Sequence, residues 1–472
     1  MKKLALLLAI LSFGSFANTT TFNQPEKEIQ VAEIKPQLNE DKSIQHISFN
    51  AAQLAQDFEL TEQLLNQATA SYNADLIEKL LNIYRTFLQT DPILVRFAQA
   101  QIARIKGNYH EAITQYRAIL AEQPDLNPIR VELAISLFEN QQNDLALEQF
   151  NKAKTVENLP NIVAQQIDSY LNALQKRTEW QFFASTYYLQ ENNVNNASKD
   201  PYIENRILSN LQKNQSMLPQ KAHGFGYHFY AEKDFNLYGN HYVSFSNALN
   251  GKNYWDNHDY DVMTNRISLG YSNKSAVQSW RVLPFYEKRW DANHRYYWQS
   301  GVRVSYDNWF AKNWQISTAL EYAKQRYYSM PSLNGFNQLL STTVLWQISP
   351  RQYAYLGADI YREKTQLAQY TQVRQALRLG WGKEWKWGIS SRLNLSFATK
   401  KYKGEAKIGV FPIGKIRQDK IYSSTLTLWK RDWHIWKITP KLQFKWYKQA
   451  SNIPSLYSYT DKNVNMVFET SF

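Results

Sequence analysis

The spacing of apolar residues changes once along this chain, near residue 178. From Leu76 to Arg177, apolar residues recur every three or four positions, which is the period of an amphipathic helix. From Trp180 onward, apolar and polar residues alternate between short turn segments, which indicates a series of strands. All fifteen tryptophans lie in this second part. The pattern therefore predicts a helical part over residues 51–178 and a sheet over residues 179–472.

One stretch of the helical part fits the second helix of a tetratricopeptide repeat. It starts at Gly107, and it places a small residue, Ala112, where paired helices touch. Ala146 stands 34 residues later in the same phase, and Phe150 follows it as an aromatic residue that fills the space between repeats. A third, degenerate unit is predicted before these two, with Tyr84 near its end.

Such repeats stack, because a single unit cannot bury its apolar face, and the stack leaves a concave groove lined by the first helix of each pair. Grooves of this kind hold other polypeptides. Gln101, Arg104 and Glu139 are predicted to project toward the groove and bind a client protein there. The alternative is that these three residues lie on an ordinary solvated helix surface.

The second part shows two-residue alternation without any further layer to cover an apolar face. Leu442, Phe444 and Trp446, for example, alternate with lysine and glutamine. A sheet that closes on itself in lipid needs no covering layer, because its apolar face meets acyl chains and its polar face encloses a lumen. The alternative is a soluble β-sandwich or propeller.

The turns divide this part into fourteen candidate strands. They begin near Trp180, His223, His241, Tyr260, Gln278, Trp298, Trp314, Gln338, Tyr353, Thr371, Lys386, Lys420, Trp436 and Asn463. Long links, such as 191–221 and 401–419, alternate with minimal ones, such as 349–350 and 431–432. Leu283-Pro284 predicts a bulge or bend. The prediction is an α+β chain in two parts, with N-terminal tetratricopeptide-like repeats followed by a transmembrane antiparallel β-barrel of about 14 strands.

The first residues have the pattern of an export signal. Lysines at positions 2 and 3 precede a short apolar run that ends in the small residues before position 18, which predicts a signal peptide over residues 1–17. Residues 18–50 are polar and aperiodic and are predicted to be a disordered periplasmic lead-in. The chain has no cysteine, so disulfides and lipidation of an N-terminal cysteine are excluded.

The formal charge of +13 falls to +11 when Lys2 and Lys3 are removed with the signal. For an exported chain, this basic excess favours lipid and lipopolysaccharide phosphate as partners over nucleic acid. Arg374, Arg378 and Arg392 are predicted to line the barrel lumen, where they would steer an acidic cargo. The alternative is that they form ion pairs across adjacent strands.

Motifs of enzyme chemistry are missing from the sequence. It contains no metalloprotease motif, phosphate loop or dinucleotide fingerprint, and its eight histidines are scattered. His241 with Ser244 or Ser246 is the one pair that suggests hydrolysis, and ordinary polar strand positions explain these residues better. The expectation is a protein that is not an enzyme and that has no metal site and no cofactor.

Several segments resemble the surface lipoprotein assembly modulator (Slam) family. The segments are Trp180-Gln-Phe-Phe-Ala-Ser185, Glu191-Asn-Asn-Val-Asn-Asn-Ala197, Gly239-Asn240-His241, Leu283-Pro-Phe-Tyr-Glu-Lys-Arg-Trp290, Tyr327-Tyr328 and Pro331-Ser-Leu-Asn-Gly335. The likeness spans essentially all of the mature chain. It implies repeats in the periplasm, a fourteen-stranded outer-membrane barrel, and delivery of a client to the cell surface. By the same resemblance, the client is a surface lipoprotein or a secreted haem- or iron-binding protein, and the barrel-assembly machinery and periplasmic chaperones are further candidate partners.

The resulting functional hypothesis is an outer-membrane translocator whose repeat domain lies in the periplasm. Two alternatives come from other classes. One is an exporter of polysaccharide, which also couples helical repeats to a barrel. The other is a passive nutrient porin, which would leave the repeat domain without a role.

Overall fold

The computed structural model describes residues 50–157, 159–203, 211–409 and 411–471. The signal peptide predicted for residues 1–17 and the lead-in predicted for 18–50, apart from Asn50, lie outside the described residues. Helices occupy the described chain up to Thr178, and strands dominate from Gln181 onward. The two-part fold predicted from the sequence is confirmed. No helix in the described ranges has the length and apolar character needed to cross a membrane.

Seven helices of eleven to eighteen residues, and one short helix before them, build the N-terminal part. Their bounds are α1 Ala51–Leu54, α2 Phe58–Ala70, α3 Ala74–Tyr84, α4 Pro92–Ile105, α5 Tyr109–Glu122, α6 Asn127–Glu139, α7 Asn143–Lys154 and α8 Asn161–Thr178. Helices α2 with α3, α4 with α5, and α6 with α7 form three antiparallel pairs, and α8 closes the stack. The side chains of Asp57, Asn73 and Asn108 accept backbone N–H groups at the starts of α2, α3 and α5, and caps of this type contribute about 1 kcal/mol each.

The predicted repeat positions lie at the centre of this stack. Ala112, Ala146, Tyr116 and Phe150 are fully buried, which confirms the repeat period. Tyr84 is fully buried in a separate apolar cluster formed by the first unit.

The turn inside each helix pair depends on one residue in the left-handed backbone region. This residue is Tyr72 in the first pair, Gly107 in the second and Gln141 in the third, with φ of 52°, 81° and 60°. Only glycine adopts this region without a steric cost, which is about 1–2 kcal/mol for other residues. Two of the three repeat turns therefore hold a strained residue.

Fourteen strands form a closed antiparallel barrel in sequence order, and the first strand pairs with the last. Their bounds are β1 Gln181–Glu191, β2 Ala222–Tyr238, β3 His241–Tyr254, β4 Val262–Lys274, β5 Gln278–Asp291, β6 His294–Ala311, β7 Trp314–Tyr327, β8 Gly335–Ser349, β9 Gln352–Thr365, β10 Gln372–Glu384, β11 Ile389–Ile408, β12 Phe411–Lys430, β13 Thr439–Ser451 and β14 Tyr459–Ser471. The helical domain lies at the end where β1 begins, which we call the helical rim; the opposite end is the far rim.

Alternation sorts the strand residues between the two faces of the barrel. On β10, the outward residues Leu377 and Leu379 are 57% and 49% exposed, whereas Gln372 and Ala376 on the inner face are buried. The outer surface is thus apolar and the inner surface polar, as the sequence alternation predicts.

The links predicted at residues 401–419 and 431–432 are both wrong. Residues 431–438 separate β12 from β13, so that link is longer than predicted. Strands β11 and β12 stay paired up to Ile408 with Phe411, so residues 401–419 form a long hairpin with irregular register. Ala406, Ile408 and Ile413 are buried in this hairpin against Ile203 of the β1–β2 loop. A tertiary contact outside the barrel wall therefore sustains the strands where the sequence suggests a loop.

Pro284 lies within β5, and the strand runs through it. On the β6 side, Pro284 stands opposite Val302. On the β4 side, the ladder passes from Ser268 with Phe285 to Tyr271 with Val282 and is interrupted between them. The sequence signal for a bend marks a gap in one ladder.

The seam between β1 and β14 has the shortest ladder in the barrel. Among the described residues it comprises five pairs, from Phe183 with Ser471 to Tyr187 with Val467. Every other neighbouring pair of barrel strands is matched over eleven residues or more. Closure of the barrel is therefore weakest where the two ends of the sheet meet.

The repeat turns predict that substitutions at Gly107 and Gln141 change the stability of the helical domain in opposite directions. Replacing Gly107 with alanine should destabilise the helical domain by about 1 kcal/mol, although an added Cβ would have no atom within 4 Å. Gln141→Gly should stabilise it by a similar amount, because it removes the same backbone cost. Thermal melting of the helical circular-dichroism signal measures both variants. Equal losses in the two would contradict the left-handed turns as the cause.

Candidate functional site: the junction and the barrel interior

The helical domain docks on the helical rim through the turn between α6 and α7. Gln142 Nε2 donates to Asn240 Oδ1 at 3.0 Å, and Asn240 Nδ2 in turn donates to the Asn140 carbonyl. The backbone N–H of Asp144 donates to Asn236 Oδ1 at 3.0 Å. The β2–β3 turn and the repeat turn are thus joined by hydrogen bonds of asparagine and glutamine side chains. Some of these bonds go to backbone groups, and one joins two side chains.

Further contacts support the junction. The Tyr242 hydroxyl donates to the carbonyl of Gln141, the residue held in the left-handed region. Arg177, near the end of α8, donates to the Phe138 carbonyl at 2.8 Å and to Asn143 Oδ1 at 2.9 Å. Because α8 leads directly into β1, Arg177 fixes the helix that enters the barrel against the turn that docks on it.

Arg104 lies at the centre of a buried ion cluster between α4 and α6. Its Nη1 is 2.6 Å from Glu132 Oε2, and its Nε is 2.9 Å from Glu139 Oε2. The guanidinium also lies 5.4 Å from the centre of the Tyr72 ring, on the other strained repeat turn. Burial opposes the charge of Arg104, but the hydrogen bond to Glu139 and the charges of both carboxylates outweigh it and hold the arginine pKa above its ordinary value. Burial raises the pKa of Glu132, and Arg104 opposes that rise.

Two of the three predicted groove residues, Arg104 and Glu139, are paired with each other. Gln101 is 1% exposed and Arg104 is 8% exposed. They do not lie on a solvated helix surface, and the charges of Arg104 and Glu139 are paired inside the domain. A contact between these residues and a client stays a prediction.

The inner face of the barrel carries a network of paired charges. Arg266 Nε is 2.7 Å from Glu287, and its Nη2 is 2.9 Å from Glu321. Arg303 binds the same Glu321 at 3.1 Å. These two arginines and two glutamates thus neutralise one another. They join the four consecutive strands β4 to β7 on the lumen side of the wall.

The three predicted lumen arginines all lie on the inner face. Arg378 Nε is 2.7 Å from Asp359 Oδ2, so it shows the cross-strand ion pair that was the alternative to cargo steering. Arg392 stands opposite Gly382 in the ladder and donates to the Tyr353 hydroxyl at 3.0 Å. Arg374 shares the face of Arg378 on β10. Steering of an acidic cargo by these residues stays a prediction.

Hydrogen bonds of its own asparagine side chains hold the β1–β2 loop in its conformation. Asn193 and Ala197 exchange two hydrogen bonds of 2.9 Å. Asn195 donates to the Leu218 carbonyl at 2.8 Å and accepts the Gln220 N–H at 3.0 Å. The asparagine-rich segment of the family resemblance is therefore a buried internal brace of the loop.

Other segments of the resemblance fall on the same features. Gly239-Asn240-His241 is the turn on which the helical domain docks. The segment 283–290 supplies Glu287 and the fully buried Arg289 to the inner face. The docking residues Asn140, Gln141 and Gln142 were missed from the sequence, because a polar run between two helices gives the same signal as any solvated turn.

The structure separates the residues considered for hydrolysis. Ser244 hydrogen-bonds Asp234 and Ser272, whereas His241 contacts the Tyr271 hydroxyl. Within the described ranges, no group of three or more His, Asp or Glu residues is placed to hold a metal ion.

A closed barrel with an apolar outer face and a charged inner face defines the second part as an outer-membrane β-barrel. Two family models match the chain: "Surface lipoprotein assembly modifier" over residues 180–472 and the N-terminal tetratricopeptide repeats of the same family over residues 47–150. This chain belongs to the surface lipoprotein assembly modifier family, and it is an outer-membrane protein.

Several relatives match over more than four fifths of this chain and of their own length. A surface lipoprotein assembly modifier of Pasteurella multocida is 34% identical over 100% of this chain and 97% of its own. Surface lipoprotein assembly modifier 1 of Haemophilus influenzae is 36% identical over 91% and 88%. The hemophilin secretion modulator of Acinetobacter baumannii is 25% identical over 83% and 82%. Among solved structures, a bacterial polysaccharide outer membrane secretin covers 63% of this chain and 98% of its own, at 11% identity and a TM-score of 0.34.

The ion cluster makes a prediction with a built-in control. Arg104→Met should destabilise the helical domain by roughly 3–5 kcal/mol, because two buried carboxylates lose their partner. The loss should be smaller in mildly acidic buffer than at neutral pH, since unpaired buried carboxylates take up protons more readily. Arg96→Met, at an exposed pair with Glu122, should cost less than about 1 kcal/mol. Thermal melting of the full-length protein in detergent measures both, and similar losses would contradict the role of the cluster.

The junction predicts a local change in hydrogen exchange. Asn236→Ala removes the acceptor of the Asp144 N–H, and exchange of that amide should rise about fivefold, the equivalent of one net hydrogen bond of about 1 kcal/mol. Asn313→Ala, in the β6–β7 turn of the same rim, is the control. If both variants leave Asp144 equally protected, the hydrogen bond does not hold the docked position.

Proposed function

We propose that this chain is an outer-membrane translocator that delivers a specific client protein from the periplasm to the cell surface. The client is a surface lipoprotein or a secreted haem- or iron-binding protein. The names of its relatives support this proposal, since one group is named for surface lipoprotein assembly and one relative for hemophilin secretion. The function proposed is transport, without a catalytic step.

The observation that carries the proposal is the docked position of the helical repeats. A stack of repeats is a surface for holding polypeptide, and here it is fixed to the barrel rim through Asn236, Asn240 and Tyr242. A client held by the repeats would lie next to the entrance of the barrel. A passive porin or a barrel anchor would need no such arrangement.

The turns support a periplasmic place for the helical domain. At the helical rim the strands β2 and β3, β6 and β7, and β8 and β9 are joined by the short links 239–240, 312–313 and 350–351. The longest link at the helical rim is 431–438, whereas the far rim, which also has the short link 292–293, carries the much longer link 192–221 between β1 and β2. Outer-membrane barrels have short periplasmic turns and longer outer loops.

The sequence and the paired charges also bear on what drives transport of the client. The sequence has no nucleotide-binding motif, and the inner-face charges near Glu321 are neutralised within the wall. We therefore propose that client folding at the surface, or handover by periplasmic chaperones, supplies the direction of transport. Lipid and lipopolysaccharide would surround the barrel.

Surface display tests the proposal. A tagged lipoprotein or small haem binder encoded beside this chain is expressed with the full-length protein, with a variant lacking residues 51–178, and with no protein. Protease and antibody access on intact cells should show display with the full-length chain alone, at equal total client levels. The combined variant Asn236→Ala, Asn240→Ala, Tyr242→Phe should display less, whereas Asn313→Ala should match the wild type.

Equal display without the protein would contradict translocation of that client. The next measurements would then be polysaccharide release from cells and single-channel conductance of the barrel with and without residues 51–178. Raised conductance alone would favour a porin, and polysaccharide retained in the mutant would favour an exporter.

A further inference from the structure

We infer that the seam between β1 and β14 admits an extended segment of the client as an added strand, so that the client leaves the barrel sideways. The inference rests on the proposed function and specifies its route. The partner it fits is a stretch of polypeptide with alternating apolar and polar residues.

The first step of the argument is the unequal ladder. Strand β1 pairs with β2 along its whole length, from Gln181 to Glu191. Its ladder to β14 ends at Tyr187 with Val467. Among the described residues, Tyr188–Glu191 of β1 and Tyr459–Met466 of β14 have no ladder partner at this seam, although β14 remains paired with β13 there. The half of the seam toward the far rim thus presents two strand edges.

These edges lie in the apolar band of the barrel. Val464 and Met466 face outward and are 61% and 45% exposed, and Tyr188 on the other edge is 47% exposed. Backbone N–H and C=O groups without partners cost several kcal/mol each in hydrocarbon, which is why spanning sheets close completely. An open edge at this depth is a site where an incoming strand gains main-chain hydrogen bonds.

Side chains, and not backbone, cross the open half on the lumen side. Lys445 Nζ lies 5.2 Å from the centre of the Tyr187 ring, so it reaches from β13 past β14 to β1. Glu191, at the far-rim end of β1, is paired with Lys252 of β3 at 2.7 Å, and the β1–β14 ladder does not join it to β14. The charge of Glu191 is therefore satisfied on the β2–β3 side of β1 and does not tie β1 to β14.

The described part of the β1–β2 loop contacts the β13–β14 connection at the far rim. Ile203 packs against Ile453 there. Lys213 of the same loop is buried and donates to the carbonyls of Ser198 and Ser455. These contacts join the loop that follows β1 to the connection that precedes β14 by side-chain packing and hydrogen bonds.

The environment of the gap defines the chemistry of its occupant. Outward positions of an added strand would meet lipid beside Val464, and inward positions would meet Lys252, Lys445, Glu191 and Asp461. The fitting segment is therefore extended, with apolar residues at every second position and polar or charged residues between them.

A disulfide across the seam tests the inference. The chain has no cysteine of its own, so Ala184→Cys with Thr470→Cys, which are opposed in the β1–β14 ladder, form the one possible bridge. The matched control is Ala358→Cys with Leu377→Cys, opposed in the fully paired β9–β10 ladder. Both are expressed with the neighbouring-gene lipoprotein of the display experiment and oxidised with copper phenanthroline. Gel mobility of the unheated protein verifies folding and bridge formation.

The inference expects loss of lipoprotein display in the oxidised seam variant, recovery after reduction, and unchanged display in the β9–β10 variant. Unchanged display with the seam bridged would overturn the seam route and leave the translocator proposal standing. Absence of display with the unmodified protein would overturn the translocator proposal, and the seam route with it.

A cross-linking experiment detects the client at the seam directly, in protein without the disulfide. Val464→p-benzoylphenylalanine should cross-link to the tagged lipoprotein during display, because it borders the open half of the seam. The same substitution at Leu356, an outward residue of β9 that is 59% exposed, should give none. Equal cross-linking at both positions, or none at Val464 while display proceeds, would overturn the inference.

Discussion

The barrel depends on one constraint, which is that backbone polar groups in hydrocarbon must be paired within the sheet. An antiparallel sheet meets it by closing, and an even number of strands returns both ends of the sheet to the same rim. Here the start of β1 and the end of β14 therefore meet at the rim that carries the helical domain. The same closure must join the two strands that are farthest apart in sequence, and their ladder is the shortest in the barrel. The helical domain therefore lies at the paired end of this seam, and the unpaired half of the seam lies toward the far rim.

Charge inside the barrel and inside the repeats follows a second constraint, because a buried charge without a partner is costly. Arg266, Glu287 and Glu321 satisfy one another on the inner wall, and Arg104 satisfies Glu132 and Glu139 between helices. These groups fix geometry, since each ion pair joins elements that are separate in sequence. The basic excess of the whole chain therefore says little about this part of the inner wall, where the acids and bases around Glu321 balance locally.

The sequence predicted the parts of this structure that arise from local periodicity. The strand number and the buried Ala112 and Ala146 follow from patterns of two and of three to four residues. The missed features depend on contacts between distant segments. The pairing of Arg104 depends on how two repeats stack, and the extended β11–β12 hairpin depends on Ile203 in a loop about two hundred residues earlier. Periodicity identifies which face of an element is apolar, but it cannot identify which polar residue will be enclosed when two elements meet.

The chemistry of the junction decides how firmly the two parts are joined. The buried apolar cluster of the second and third repeats lies within the helical domain, and the barrel clusters lie within the barrel. The contacts between the two parts include hydrogen bonds at Asn236, Asn240 and Tyr242, and one from the Ala276 N–H to Asn140 Oδ1. Such bonds are directional but contribute only about 1 kcal/mol each, so they define an orientation without making it permanent. The strained Gln141 lies at the centre of this contact, and its carbonyl is presented to Tyr242 by the backbone conformation that carries the steric cost. A junction that is well defined and weakly held suits a domain that must position a client at the rim and then release it.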